Sequence, residues 1–185
     1  MTEPRIPGHV AIIMDGNNRW AKLNGKRKLV GHAAGADALR RVIRKCIERG
    51  VQTLSVFAFS SENWNRPKFE VDGLMHLFEK SLNDEVPELI ENKIAIEIVG
   101  DRSRFSKSLI KAMHDAENAT SSGTRLKLNI LANYGGRWDI VETAQRLAAQ
   151  VQDGDLEFSD FSEELFEENH NLAGQSSVDL LIRTG

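Results

Sequence analysis

Cysteine, proline and long apolar runs are all scarce in this sequence, and each shortage excludes a class of protein. Cys46 is the only cysteine among 185 residues, which excludes a disulfide framework and favours a reducing compartment. Four prolines are too few for a disordered linker protein. No segment approaches the roughly 18 consecutive apolar residues of a membrane-spanning helix, and residues 1–7 lack the basic and apolar segments of a signal peptide. We therefore predict a cytoplasmic protein.

An excess of charge of one sign is also absent. The chain has 24 lysines and arginines against 27 aspartates and glutamates, which gives a formal net charge of -3. This balance provides no overall electrostatic attraction to a polyanion, so we predict no nucleic-acid partner. A hydrophobic content of 41% with 28% charged residues is typical of a globular protein, and the length predicts one domain over residues 1–185.

The standard phosphate-binding loops are missing as well. The sequence has no G-x-x-x-x-G-K-[ST] loop, and no G-x-G-x-x-G follows its first apolar segment. A G-x-S-x-G nucleophile elbow is absent too. These absences count against a nucleotide-dependent phosphate-handling enzyme, an alternative that tight nucleotide binding would support.

Five short apolar segments alternate with helical patterns along the chain. The apolar segments are typical of buried strands, and the other segments carry apolar residues at helical spacing. This alternation predicts an α/β fold with a mostly parallel β-sheet flanked by helices on both faces, in a strand order that the sequence does not give. The predicted strands are 10–14, 53–59, 94–99, 126–132 and 178–182, and the predicted helices are 33–49, 70–91, 103–120, one from about 139 to 151 and a short one within 153–168.

Polar and charged residues collect where the predicted strands end. Parallel strands place their carboxyl ends at one edge of the sheet, where ligands bind in open α/β folds. Several guanidinium groups with one or two carboxylates suit a phosphorylated ligand held together with a divalent metal. The alternative for Asp15-Gly16-Asn17 is an ordinary capped turn. The residues at this edge are Asp15, Asn17, Arg19, Ser60, Asn63, Arg66, Asp101, Asn133, Arg137 and Arg183.

A few residues near this edge receive narrower predictions. His32, beside Gly31 and a basic stretch, is the one histidine of five that we predict at the site. Asp101 is predicted to start the next helix rather than to bind a metal. The apolar side chains of residues 71–90 suit either an extended pocket or, more commonly for an amphipathic helix on a sheet, ordinary core.

Six segments of the sequence resemble a known family. They are MDGNNRWA (14–21), GH..G (31–35), FAFSSENWNRP (57–67), GD.SRF (100–105), NYGGRWDI (133–140) and DLLIRTG (179–185). In this order, and across the whole chain, they resemble the cis-prenyltransferases, and among these the bacterial undecaprenyl diphosphate synthases. Several of the segments are long and unusual, so the resemblance is specific.

The resemblance implies an enzyme with a defined reaction. Members of the family are Mg2+-dependent homodimers that condense isopentenyl diphosphate onto farnesyl diphosphate with cis double bonds. The expected product is a long-chain polyprenyl (undecaprenyl) diphosphate, the lipid carrier of bacterial peptidoglycan synthesis, with peripheral membrane contact through that product. The alternative is a non-catalytic prenyltransferase-like subunit that binds a partner.

The resemblance also implies roles for individual residues. Asp15 is expected to be catalytic and to bind Mg2+, and Asn63 is expected to be catalytic at the condensation centre, where it acts with Ser60 in removing a proton. Leu74, Met75 and Phe78 are expected in the wall of an apolar channel, and Leu126 at its floor. The expected substrate-binding residues are Gly16, Asn17, Arg19, Trp20, Lys28, His32, Ser60, Trp64, Arg66, Glu70 and Arg183.

Two departures from the family pattern carry expectations of their own. Lys28 stands where the family usually has an arginine, so we expect a looser phosphate contact there or help from Arg27. Family members continue from R-T-G into G-E-x-R-x-S and later supply a glutamate for Mg2+ across the dimer, but this sequence stops at Gly185. We therefore expect that a C-terminal part is missing, and that the 185-residue chain alone is a poor catalyst.

Overall fold

The structure, a computed structural model, describes residues 5–185. The first four residues lie outside this description; they belong to segment 1–7, which we predicted to lack the features of a signal peptide. Five strands form one sheet in the order β3-β4-β2-β1-β5, and all four neighbouring pairs are parallel, which confirms the predicted α/β class. The strands are β1 (His9–Ile13), β2 (Thr53–Ser60), β3 (Ile94–Val99), β4 (Leu126–Tyr134) and β5 (Leu180–Arg183).

Six helices connect these strands. They are α1 (Asn17–Leu23), α2 (Lys28–Arg49), α3 (Lys68–Glu91), α4 (Lys107–Thr120), α5 (Gly136–Asp153) and α6 (Glu163–Asn169), and short 3₁₀ turns occupy Ser61–Asn65 and Phe158–Asp160. None of the helices within residues 5–185 is both long and apolar enough to cross a bilayer.

The two faces of the sheet differ in polarity. Alternate residues such as Leu54, Val56 and Leu128 face α2, α3 and α4 and form one buried apolar core with them. The other face carries His9, Ser55 and Asn129, whose side chains are hydrogen bonded to one another through the Ser55 hydroxyl at 2.8 and 3.0 Å. The chain between α6 and β5 reaches this polar face, where the Ser176 carbonyl lies 2.6 Å from His9 Nδ1.

Helix α1 was not predicted, and α2 begins five residues before the predicted start. Both differences have one cause, which is the close contact between the two helices. A Cβ atom at Gly31 would lie 2.2 Å from the Asn17 carbonyl oxygen, and one at Gly35 would lie 2.8 Å from Asn17 Oδ1. Gly31 and Gly35 suggest a loop when only the sequence is considered. In the structure they are helical, and their lack of a side chain lets α2 lie against α1.

The remaining boundaries differ from the predictions by smaller shifts. Strand β4 continues two residues beyond its predicted end, and α4 begins at Lys107 because the Ser106 hydroxyl caps it by accepting the Leu109 N–H at 3.2 Å. Helix α3 continues through Pro87. The short helix predicted within 153–168 is a 3₁₀ turn followed by α6, which extends to Asn169, and Phe158 in the 3₁₀ turn is 78% exposed.

Helices α2 and α3 meet along a line that we call the α2–α3 seam, formed by Leu29 against Gly73 and by the ion pairs Arg40–Glu85 and Arg44–Glu88. Nε of Arg40 lies 2.7 Å from Glu85 Oε1, and Nη2 of Arg44 lies 3.0 Å from Glu88 Oε1. A Cβ atom at Gly73 would lie 2.8 Å from Leu29 Cδ1, so the glycine leaves room for the Leu29 side chain against α3. The seam thus forms the outer edge of the space between these helices and the sheet.

Candidate functional site

A cavity of about 510 Å3 lies between α2, α3 and the sheet. Its deep part is apolar and is lined by side chains of both helices and of the sheet, among them Leu39, Ile43, Leu82, Leu89, Ile96 and Leu128. Leu74, Met75 and Phe78 of α3 also line it, as predicted for a channel wall. Leu126 does not line it, because this side chain is packed into the core and Leu128, two residues further along the same face, forms the wall instead. The prediction for Leu126 is therefore wrong.

The mouth of the cavity is polar and lies at the carboxyl ends of β1, β2 and β5. Seven of the residues predicted for the site line the cavity, namely Asp15, Asn17, His32, Ser60, Asn63, Arg66 and Arg183. Three other predicted residues do not line the cavity but are ion paired beside it. Arg19 pairs with Asp15, Glu70 pairs with Arg66, and Lys28 pairs with Glu70. An apolar cavity thus ends in a cluster of cations, two carboxylates and amides.

Asp15 lies where the pairing of β1 with β5 brings distant residues together. Ile13 pairs with Arg183, which places the Arg183 Nη2 atom 3.0 Å from Asp15 Oδ2. Arg19 Nη2 lies 3.7 Å from the other carboxylate oxygen, and that oxygen accepts the Gly16 N–H at 2.6 Å. The hydrogen bond from Arg183 is the main cause that holds the pKa of Asp15 below its ordinary value. We call these residues the Asp15 group.

The backbone beside Asp15 requires glycine. Gly16 has a φ of 94°, and a Cβ atom there would lie 2.9 Å from the Cα atom of Gly185. The hydroxyl of Thr184 accepts the Asp15 N–H at 3.0 Å and donates to the Asp15 carbonyl at 2.8 Å. The Thr184 hydroxyl therefore fastens the end of β5 to the backbone of Asp15, and the Asp15 carboxylate is left 39% exposed.

Glu70 is the centre of a second charged cluster, on the first turn of α3. Its carboxylate is 2% exposed and accepts from Lys28 Nζ at 2.8 Å, from Arg66 Nη1 at 3.3 Å and from Asn18 Nδ2 at 3.5 Å. The hydrogen bond from Lys28 is the main cause that lowers the pKa of Glu70. We call this cluster the Glu70 group. It joins α1, α2 and α3 at the rim of the cavity.

His32 faces the cavity with one ring nitrogen free. Its Nε2 atom is buried and has no hydrogen-bond partner within residues 5–185. Burial is the main cause that lowers the pKa of His32, and the positive charge of Arg66 lowers it further. The imidazole is therefore held in its neutral form at the mouth, where a donor or an acceptor on a ligand can satisfy it.

Ser60 and Asn63 cap each other where β2 runs into the Ser61–Asn65 turn. The Ser60 hydroxyl accepts the Glu62 N–H at 3.2 Å, and Asn63 Oδ1 accepts the Ser60 N–H at 3.1 Å. Because its oxygen is bound to the backbone, Asn63 has its amide nitrogen left as a donor toward the cavity. A donor in this place suits phosphate oxygens.

The two tryptophans predicted to bind substrate lie outside the cavity lining. Trp20 is 41% exposed, with Lys26 Nζ 5.3 Å from the centre of a ring. Trp64 packs against Phe59 and donates its indole N–H to Asn133 Oδ1 at 2.8 Å. Their roles toward substrate stay predictions.

Sequence reasoning did not assign site roles to Asn18 and Asn133. Asn18 could not be chosen from the sequence because its partner, Glu70, is 52 residues away. Asn133 stands in the NYGGRWDI segment and was noted only for its position at the end of a strand. Asp101 accepts the Ser103 N–H at 2.8 Å in the turn that precedes α4, but Ser106 caps that helix, so the prediction that Asp101 starts it is wrong.

The chain matches a family model and many known proteins over nearly its full length. The model described as "Putative undecaprenyl diphosphate synthase" matches residues 13–185. The ditrans,polycis-undecaprenyl-diphosphate synthase ((2E,6E)-farnesyl-diphosphate specific) of Pseudomonas aeruginosa is 54% identical over 180 residues, which are 97% of this chain and 72% of that protein. The enzyme of the same name from Yersinia pseudotuberculosis is 50% identical over 98% of this chain and 72% of its own length.

Solved structures give the same result for the fold. The lavandulyl diphosphate synthase of Lavandula x intermedia, in complex with dimethylallyl diphosphate, superposes with a TM-score of 0.92 at 37% identity and covers 96% of this chain and 77% of its own. A probable undecaprenyl diphosphate synthase of Campylobacter jejuni gives a TM-score of 0.76 at 28% identity, over 97% of this chain and 76% of that one. The predicted resemblance is confirmed, and the chain belongs to the cis-prenyltransferase family.

Proposed function

We propose that this chain condenses isopentenyl diphosphate with farnesyl diphosphate and repeats the step to give a long polyprenyl diphosphate with cis double bonds, undecaprenyl diphosphate. One observation carries the proposal: an apolar cavity opens directly into a mouth lined by arginines, amides and the solvent-exposed carboxylate of Asp15, with Lys28 close by in the Glu70 group. An isoprenoid diphosphate has this same division into an apolar chain and an anionic head. The names of the relatives above support the choice of the two substrates.

The chemistry of this reaction explains the types of residue at the mouth. The double bond of isopentenyl diphosphate forms a new carbon–carbon bond with C1 of the allylic diphosphate, whose C–O bond breaks as diphosphate leaves with the electron pair, and the adduct then loses a proton. Negative charge therefore develops on the leaving diphosphate, where Lys28, Arg19, Arg66 and the Asn63 amide nitrogen can offset it. Arg183 is placed for the second diphosphate. The apolar wall excludes water from the allylic carbon while it is cationic.

A magnesium ion fits the donors of the Asp15 group. Within residues 5–185 no cluster of three or more histidine, cysteine, aspartate or glutamate side chains could hold a metal by itself. Mg2+ commonly takes one or two carboxylates together with phosphate oxygens and water, so Asp15 alone suffices when a diphosphate is present. When bound, the metal would supply positive charge to the diphosphate oxygens. The lowered pKa of Asp15 keeps the carboxylate ionised for this role.

The resemblance extends the proposal to the surroundings of the enzyme. A second copy of the chain suits the apolar side chains left open on β5 and α5, where Leu181 is 62% and Ile140 56% exposed. We propose a homodimer in the cytoplasm that touches the membrane only through its lipid product, a carrier for cell-wall synthesis. The cations and carboxylates gathered at the mouth favour this enzyme over a non-catalytic subunit.

The test is chain elongation from radiolabelled isopentenyl diphosphate, farnesyl diphosphate and Mg2+. The 185-residue chain and a version extended to the length of its relatives are compared with Asp15→Ala in the more active background. We expect long-chain product that falls by about a hundredfold or more in the Asp15→Ala variant, because that carboxylate is the open one at the mouth. Asp72→Ala, which removes an exposed carboxylate of α3, serves as the control. The proposal fails if neither folded version makes product.

A further inference from the structure

Asn133 is a buried residue in the left-handed backbone region, which asparagine adopts more readily than other residues that have a side chain. Its φ is 52°, and within residues 5–185 Lys93, with a φ of 55°, is the other non-glycine residue in the left-handed region. Lys93 is exposed and simply follows α3. Asn133 is buried, 3% exposed, at the carboxyl end of β4. Left-handed residues in such places persist only when their surroundings hold them there.

Both ends of the Asn133 amide are used, and they join separate parts of the rim. Its Oδ1 accepts the indole N–H of Trp64 at 2.8 Å, and its Nδ2 donates to the Asp101 carbonyl at 2.7 Å. One side chain therefore links the Ser61–Asn65 turn, which follows β2, to the loop between β3 and α4. Turning the amide over would break both hydrogen bonds at once, because its oxygen and its nitrogen would exchange places.

Trp64 is enclosed on several sides. Its ring lies 5.1 Å from Phe59 and 5.8 Å from Phe105, measured between ring centres, and the guanidinium carbon of Arg104 lies 4.2 Å above it. Arg104 is exposed, so it covers the indole from the solvent side while the two phenylalanines hold it from below. The position of Trp64 is thus fixed by packing, and its direction by Asn133.

The start of the turn is held against the same strand. Ser60 pairs with Tyr134 in the sheet, and a Cβ atom at Gly135 would lie 2.9 Å from Ser61 Oγ. The end of β4 is therefore a platform for the whole turn, and Asn133 is its central contact. Asn63, which lines the cavity, belongs to this turn.

We propose that Asn133 is a positioning residue for the reaction: acting through the Trp64 indole, it sets the Ser61–Asn65 turn so that Asn63 faces the substrate. This inference rests on the proposed function for its chemical consequence, but its structural part stands on the contacts of Asn133 alone. Glycine at this position would accept the backbone conformation without either hydrogen bond. Aspartate would keep the acceptor for Trp64 and lose the donor to Asp101.

The test compares Asn133→Gly, Trp64→Phe and their combination with the matched control Lys93→Gly, in the chain length that is active. Lys93→Gly relieves the same backbone conformation at an exposed residue far from the mouth. Amide hydrogen exchange of residues 61–66 and steady-state elongation are both measured. We expect Asn133→Gly and Trp64→Phe each to speed exchange of 61–66 by about tenfold, and the combination to add little, because both remove the Trp64–Asn133 hydrogen bond that holds this turn.

The values of kcat and KM distinguish a misplaced Asn63 from a variant that has lost its fold. Asn133→Gly should lower kcat by about tenfold to a hundredfold, because a small displacement of a reacting group is enough for this, while KM changes by less than about threefold. Lys93→Gly should match the parent in both measurements. Unchanged exchange of 61–66 in Asn133→Gly, or fully additive effects in the combination, would overturn the inference. If the parent makes no product, the proposed function fails, and the exchange data still decide whether Asn133 holds the turn.

Discussion

The Asp15 group and the Glu70 group have the same composition and opposite exposure. Each has one carboxylate, two cations and one further donor from a neighbouring amide group. In the Asp15 group the carboxylate side chain is 39% exposed and its cations, Arg19 and Arg183, are 66% and 68% exposed. In the Glu70 group the carboxylate is 2% exposed beneath Lys28 and Arg66, which are 55% and 31% exposed. Only the surroundings of the two carboxylates differ.

Because their exposure differs, the two carboxylates suit different roles. The open carboxylate of Asp15 can exchange an arginine for a metal or a ligand donor, since water already reaches it. The carboxylate of Glu70 cannot, because removing its partners would leave a charge buried without compensation. Glu70 therefore holds Lys28 and Arg66 in position at the rim of the cavity, where the proposed function requires cations.

Removal of the buried carboxylate should have the largest effect on folding. We expect Glu70→Ala to lower the free energy of unfolding by about 2–3 kcal/mol at pH 7, because two cations lose their shared partner. The pKa of Glu70 is lowered in the folded chain, so this contribution is present above pH 4.5 and is lost as pH falls through the folded pKa. Denaturant unfolding at several pH values measures it.

Asp72→Ala is the matched control on the same helix. Asp72 pairs with Lys68 at 2.9 Å, but the two side chains are 60% and 88% exposed, so we expect a change below about 0.5 kcal/mol. Equal losses in the two variants would remove the distinction between buried and open carboxylates.

Asp15→Asn should instead abolish the effect of Mg2+ on the affinity for pyrophosphate. We expect Mg2+ to tighten pyrophosphate binding to the parent by about tenfold or more, equal to about 1.4 kcal/mol, and to have little effect on the Asn variant. Calorimetric titration with and without Mg2+ measures this. In Glu70→Gln the tightening should remain, whatever the stability of the variant. A variant at Asp15 that still responds to Mg2+ would separate this carboxylate from the metal.

His32 should give a smaller effect that depends on pH. Burial lowers its folded pKa below the ordinary value of 6.5, so near and below that pH the unfolded chain binds a proton that the folded chain rejects. The free energy of unfolding should therefore fall as pH falls from 7 through the folded pKa, and His32→Gln should show less of this fall. The exposed His76→Gln is the control. An identical pH dependence in parent and His32→Gln would contradict the prediction.

Lys28→Arg should give the smallest effect. Arginine can keep the ion pair with Glu70 and also bind phosphate through two N–H groups, so we expect KM for the allylic diphosphate to fall by up to about threefold. Stability should stay within about 0.5 kcal/mol. Steady-state kinetics at fixed isopentenyl diphosphate checks this, and a raised KM would show that the ammonium group of Lys28 is better placed.

The strands were predictable because each is a short, continuous apolar segment between polar residues. Residues 53–59, 94–99 and 126–132 were predicted within two residues of their true ends. The collection of polar residues at the carboxyl ends followed from the parallel sheet, and it placed Asp15, Asn63 and Arg183 at one cavity correctly.

The strand order, helix α1 and the contacts within the site were not predictable, because they depend on residues that are far apart in the sequence. The order of the strands brings Arg183 to Asp15 across 168 residues, and no local pattern records it. Helix α1 was missed because its seven residues show no apolar repeat and are stabilised by α2 rather than by their own sequence. The burial of Glu70 and the tie between Trp64 and Asn133 likewise appear only when three helices or two loops come together.

The α2–α3 seam gives one wall of the cavity a different mechanical character from the others. The sheet beneath is held by regular hydrogen bonds, whereas the outer fastening consists largely of Arg40–Glu85 and the more exposed Arg44–Glu88. Coulomb attraction between such groups weakens as ions accumulate, while apolar contact and backbone pairing hardly respond. Rising ionic strength should therefore weaken the α2–α3 side of the cavity before it affects the sheet beneath.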